Sequence, residues 1–139
     1  LPVKHQFMCG QMYKYHVEIL KIVDGDTVDA DIDLGFGVWL NNIRIRLAGI
    51  DSPETRSKDA EEKQYGKRAR NFLMGLLMEK TVTLESHGKG KFGRVLGVLF
   101  VDGENINQKM VENYHAVAYQ GQSKDEIFET HLANRKKLA

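Results

Sequence analysis

The sequence predicts an α+β domain in which five strands roll into a barrel and three helices pack around it. Three observations predict this. The first third of the chain alternates apolar and polar residues at the strand period. The period lengthens to that of a helix near residues 58 to 78. Asn105 and Ser123 each open a segment with a helix-capping pattern.

The elements follow in order. Over residues 13 to 23, Tyr13, Tyr15, Val17 and Ile19 alternate with Lys14, His16 and Glu18, a strand with one buried face. The turn "DGDT", residues 24 to 27, carries Asp-Gly, a hairpin signal because glycine accepts positive φ. A second strand follows to residue 34, with Val28, Ala30, Ile32 and Leu34 on one face and Asp29, Asp31 and Asp33 on the other. "GFG" ends it. A third strand, roughly 38 to 48, sets Ile43, Ile45 and Leu47 toward the core and Arg44 and Arg46 opposite. These three make an antiparallel meander. After the polar loop "DSPETRSKDA", Tyr65, Ala69, Phe72, Leu73 and Leu76 recur at helical spacing. "TVTLES" and "RVLGVLFV" are two further strands around the basic loop "HGKGKFG". Asn105, with Gln108 three residues on, opens a helix to about 114, and "SKDE" opens a last helix through Ile127, Phe128 and Leu132. This order is that of a five-stranded OB-fold β-barrel with three α-helices. Residues 13–137 are read as one domain, and 1–12 as an N-terminal extension or an expression scar.

A length of 139 residues suits one domain with one core. The formal net charge of +1 announces no nucleic-acid partner, so any such binding must be local. The lone cysteine, Cys9, forms no internal disulfide and has no base partner that would make it a nucleophile. No apolar run reaches the ~18 residues of a membrane span, and the first ten residues lack the apolar core of a signal peptide. The start without methionine suggests a trimmed chain, whose compartment, cytoplasmic or secreted after processing, stays open. The five histidines show no zinc-ligand spacing.

Chemistry concentrates in two acidic turns and two arginines. Asp26 and Asp51 each sit where a strand meets a turn, and two such carboxylates form half a shell for a hard, oxygen-preferring cation. The plainer reading is that each bonds its own turn backbone. Glu54, three residues past Asp51, could orient or deprotonate water, or could serve the positive end of the following helix. Arg46 and Arg94 suit planar, bidentate phosphate binding, or else surface ion pairs, the role assigned to Arg44. Lys89, Lys91 and Phe92 interleave charge and aromatic surface as single-stranded nucleic acid requires, or form a solvated turn. The acids at 29, 31 and 33 read as a solvated face. Together, two acids for a cation, one for water and two arginines for phosphate are the parts of metal-assisted phosphodiester hydrolysis.

These residues are also recognisable. "VDGDTV", "IRLAGIDSPET", "YGKRA", "KFGR" and "DGENIN" resemble, in order and spacing, the landmarks of the staphylococcal nuclease family over roughly residues 15 to 133. The resemblance implies the same barrel with three helices and a calcium-dependent nuclease acting on DNA and RNA. It further implies cleavage to a 3′-phosphate and a 5′-hydroxyl, a preference for single strands, a monomer and no membrane association. On this resemblance Asp26, Asp51 and the backbone carbonyl of Ser52 hold Ca2+. Glu54 is the general base, and Arg46 and Arg94 bind the phosphate and stabilise its transition state. Lys91, Phe92 and Tyr119 contact the nucleotide. The chain departs from the family in having Phe92 for a tyrosine, Gly90 for an acid, no second aromatic after Tyr119, and a less basic 56–62 segment. The alternative is a nucleic-acid-binding module of the same fold with little or no catalysis. The intact set of acids and arginines argues against that module, and against an interaction domain with no nucleic-acid role.

Overall fold

The computed structural model describes residues 13–90 and 93–139. The proposed extension 1–12, Cys9 within it, and the candidate nucleotide contacts Lys91 and Phe92 lie outside the described residues.

The predicted meander forms. Strand β1 (Tyr13–Asp24) pairs antiparallel with β2 (Thr27–Gly35), which pairs antiparallel with β3 (Val38–Leu47). After the two-residue β4 (Ile50–Asp51) comes helix α1 (Ala60–Leu77). Strands β5 (Val82–Lys89) and β6 (Val95–Val101) follow, then the short β7 (Glu104–Asn105), helix α2 (Ile106–Glu112), the short β8 (Val117–Ala118) and helix α3 (Lys124–Leu138). The long strands run in the order β3-β2-β1-β5-β6, and β6 returns to pair parallel with β3, Arg46 lying opposite Leu96. That pairing closes the five-stranded barrel and leaves no open edge between its first and last strands. The core fills it with Val28, Ile45, Leu47, Leu84 and Leu99, and α1 caps it with Ala69, Leu73 and Leu77.

Alternation in β1 does not hold throughout. A register shift between Ile19 and Lys21 turns Leu20 outward and buries Ile22. The extra residue re-aims the side chains beyond it, so the apolar face changes phase. Leu34, expected in the core, is exposed with Phe36, Val38 and Trp39 where the β2–β3 hairpin runs past the barrel. The acids opposite them bond rather than merely face water. Asp29 pairs with Arg44 at 2.9 Å, Asp31 accepts from the Asn42 N–H, and Asp33 accepts from the Gly35 N–H. The basic loop begins later than the sequence suggested, because β5 keeps pairing with β6 as far as Lys89. Both predicted caps form: Asn105 Oδ1 accepts from the Gln108 N–H and Ser123 Oγ from the Glu126 N–H. The cap of α1 is Asp59, which accepts from the Glu61 N–H.

One buried side chain binds barrel to helices. Asn107, in the first turn of α2, accepts the Leu99 N–H and donates to the carbonyls of Ala48 and Gly97. It thereby ties the end of β3, where the chain enters the site, to β6. Asn107→Ala leaves a buried N–H and carbonyl without partners and is expected to cost about 2–4 kcal/mol. Chemical denaturation measures this directly, and a loss below about 0.5 kcal/mol would show that water replaces the amide.

Candidate active site

Both acidic turns are consequences of strand ends meeting beneath α1. The turn after β1 and the segment after β4 lie side by side and are laced together. Asp26, 7% exposed, accepts from the Thr27 hydroxyl at 2.8 Å and from the Ser52 N–H at 3.0 Å. Asp24 accepts both the N–H and the hydroxyl of Thr55. The Asp26 carbonyl receives the Leu47 N–H. Each aspartate of "DGDT" thus binds a residue of "DSPET", which sets the position of Glu54 between Ser52 and Thr55.

Helix α1 packs on these turns through its smallest residues. A Cβ on Gly66 would lie 2.5 Å from the Glu54 carbonyl oxygen, and one on Gly25 would lie 2.8 Å from Ala69 Cβ. The "YGKRA" stretch therefore brings the helix backbone directly against the backbone of Glu54.

Arg46 joins the two candidate cation carboxylates. Its Nη2 stands 3.4 Å from Asp26 and 3.7 Å from Asp51, while its Nη1 donates to the Leu47 carbonyl. Arg46, Asp51, Ser52, Glu54, Arg94 and Tyr119 all line one cleft of about 680 Å³, with Asp26 buried beneath it. Arg94 reaches it because the parallel register sets Arg46 across from Leu96, two residues further on. Tyr119 reaches it because β8 pairs with β4 and the Tyr119 N–H donates to the Gly49 carbonyl.

Electrostatics in the cleft favour an added positive charge. Burial pushes the Asp26 carboxyl above its ordinary range, opposed by Arg46 and by the Ser52 and Thr27 donors, with Asp51 adding to the rise. Glu54 stands at the rim, and partial burial raises its pKa, reinforced by Glu62, Asp24, Asp26 and Asp51. Among the described residues no trio of histidine, cysteine, aspartate or glutamate side chains forms a ready-made cation cage. The donors nevertheless fit a hard cation: the Asp26 and Asp51 carboxylates both stand within 4 Å of Arg46 Nη2, and acidic neighbours crowd close enough to Glu54 to raise its pKa.

Three participants were not legible as such in the sequence. His131, set aside for lack of zinc spacing, bonds Asp51 through Nε2 at 2.9 Å. Asp24 and Gly66 place Glu54. Only the stripe Lys124, Ile127, Phe128 and His131, at helical i, i+3, i+4, i+7 spacing, carried a signal for the first of them, and it reads equally as a core-facing stripe.

An OB-fold barrel capped by a helix that presses on an acid-and-arginine cleft defines a class of small barrel domains. A family model described as "Staphylococcal nuclease homologue" matches residues 44–139. The "Protein ParB" of Escherichia coli is 32% identical over 112 residues, 74% of this chain and 56% of that one. An "Uncharacterized endonuclease" of Haemophilus influenzae is 34% identical over 110 residues, 79% and 56% respectively. The "Thermonuclease" of Staphylococcus intermedius is 33% identical over 96 residues, 68% and 54%. This chain belongs to the staphylococcal nuclease family, and it spans a little over half the length of these curated relatives.

Two outcomes test the packing and the charge. Gly66→Ala should lose about 1–3 kcal/mol of stability, because the clash is with backbone. Gly75→Ala, on the open face of the same helix with nothing within 4 Å of an added Cβ, should gain about 0.5–1 kcal/mol. A neutral Gly66→Ala would refute the close approach. For Glu54, a pKa raised in the folded state means stability that is complete below the ordinary carboxylate value and lost as pH rises through the folded one. Glu54→Gln should therefore melt no lower than the parent at neutral pH without divalent cations, and its advantage should vanish toward pH 4. A variant that melts lower at neutral pH would contradict the charge crowding.

Proposed function

We propose that this domain is a calcium-dependent nuclease that hydrolyses phosphodiester bonds of DNA and RNA, leaving 3′-phosphate and 5′-hydroxyl ends. The observation that carries the proposal is Arg46 standing between the Asp26 and Asp51 carboxylates in the cleft that Glu54 and Arg94 also line. The names of the relatives, endonuclease and thermonuclease among them, support the same reading.

Asp26, Asp51 and the Ser52 backbone carbonyl would hold the calcium ion. When bound, the ion would neutralise the substrate phosphate and polarise a P–O bond. The chain's own groups do the rest. Arg46 and Arg94 bind the phosphate and gather the charge that grows on its oxygens in the transition state. Glu54 accepts a proton from a water whose oxygen attacks phosphorus, and the P–O5′ bond breaks as the 5′ oxygen takes a proton from solvent water. The raised pKa of Glu54 makes it a stronger base than an ordinary glutamate, while the reaction needs its ionised form. Activity should accordingly rise with pH as Glu54 ionises. Asp24 and Gly66 keep Glu54 in place through the backbone. Lys91, Phe92 and Tyr119 contact the nucleotide in this reading. Single strands are the preferred substrate, and the protein acts as a monomer.

Cleavage of single-stranded DNA is to be measured with calcium, with EDTA and in Glu54→Gln. Calcium should be required, and the variant should lose about 10²–10⁴-fold in rate. Binding without cleavage would assign the domain to the non-catalytic binding modules. Cleavage indifferent to both EDTA and Glu54 would overturn the proposed site.

A further inference from the structure

Helix α3 forms a second wall of the cleft. Lys124, Ile127, Phe128 and His131 occupy one face at i, i+3, i+4, i+7 and all line the cavity that holds Arg46 and Glu54. A stripe of that spacing usually faces a core. Here the buried residues of α3 are Asn134 and Arg135 instead, near its other end. That end is docked by polar contacts: Arg135 on Glu61, Asn134 on the Ala116 carbonyl, and the Leu138 carbonyl on Arg68. The N-terminal half leans over the cleft, and Phe128 is left 52% exposed inside it. Tyr119, 47% exposed, faces the same cavity.

Both aromatic residues are tied to the strand that carries Asp51. The Tyr119 N–H donates to the Gly49 carbonyl, and Gln122 braces the turn after it by bonding the Ala118 carbonyl and the Gln120 N–H. On the other side His131, one helical turn beyond Phe128, bonds Asp51 itself. The backbone segments that carry the two rings are therefore both tied to the Asp51 segment, and Lys124 lines the same cleft.

We infer that Phe128 is a nucleobase-stacking residue, and that Phe128 and Tyr119 together form a subsite for an unpaired base next to the phosphate held by Arg46 and Arg94. The inference rests on the nuclease reading above and names the substrate feature that this site selects. An aromatic side chain left exposed in a wet, charged cleft gains most by covering itself with the flat apolar face of a base. Only an unstacked base offers that face, so the subsite selects single strands, or strand ends, over intact duplex. A duplex base is already covered by its neighbours.

The test uses two fluorescein-labelled oligonucleotides of one length, oligo-dT and the same backbone with an abasic residue at every position. Steady-state cleavage is measured for the parent, Phe128→Leu and Phe128→Tyr, with anisotropy for binding. The parent should favour the intact oligonucleotide by about tenfold in KM. Phe128→Leu, still apolar but without a ring, should raise KM for oligo-dT by about tenfold, leave kcat within about twofold, and lose the discrimination against the abasic strand. Phe128→Tyr should restore both. If Phe128→Leu keeps the parent's KM and discrimination while cleavage persists, the inference falls and the nuclease reading stands. If the parent binds without cleaving, the same shifts must appear in the anisotropy. If it neither binds nor cleaves either strand, both readings fail together.

Discussion

The buried carboxylate of Asp26 is the interaction on which the rest of the site depends. A carboxylate taken out of water must find donors, and this one finds three on three different segments. Thr27 opens β2, Ser52 begins the segment that carries Glu54, and Arg46 belongs to β3. One oxygen pair thereby sets the strand-end turn, the Glu54 segment and an arginine against each other. Burial still raises the pKa of Asp26 in spite of these partners. The turn is thus held together by a carboxylate whose partners do not fully offset the cost of its burial.

Closure of the barrel makes that arrangement possible. Arg46 and Leu96 face each other only because β6 returns parallel to β3, and this return carries Arg94 to the cleft. Asn107 fills the seam with three hydrogen bonds to backbone groups, supplying partners to the Leu99 N–H and the Ala48 carbonyl and a second donor to the Gly97 carbonyl. Gly66 on α1 then lets the helix approach the Glu54 backbone at a distance no larger residue permits, and Ala69 packs against Gly25. Close packing and chemistry share residues here, which is why the charged rim can be crowded while the layer beneath it is tight and apolar.

Helix α3 is built differently from α1. Its inner end is anchored by an ion pair, an amide and cation–π contacts of Arg135 with Tyr65, and its outer half offers apolar surface to the cleft. The bond between His131 and Asp51 makes the helix part of the site's frame as well as its wall.

Local periodicity determined much of this fold. The antiparallel meander, the helix after it and both C-terminal caps were legible because strand alternation and capping are decided by neighbours in sequence. The acids and arginines of the site were legible too, since residue type and spacing carry their chemistry, and since their order matches a family pattern. What the sequence could not supply was every relation between distant segments. Nothing local says that Leu20 leaves the core at a bulge, that Asp24 holds Thr55, or that Gly66 lies on Glu54. The stripe on α3 shows the limit most sharply. Its spacing predicts a core face, yet the structure turns Phe128 and His131 to the cleft, because the helix is anchored through Asn134 and Arg135. Amphipathic spacing determines that a helix has a face. Which surface that face meets is decided by where the chain's other contacts hold the helix, and those contacts span 18 to 80 residues of sequence.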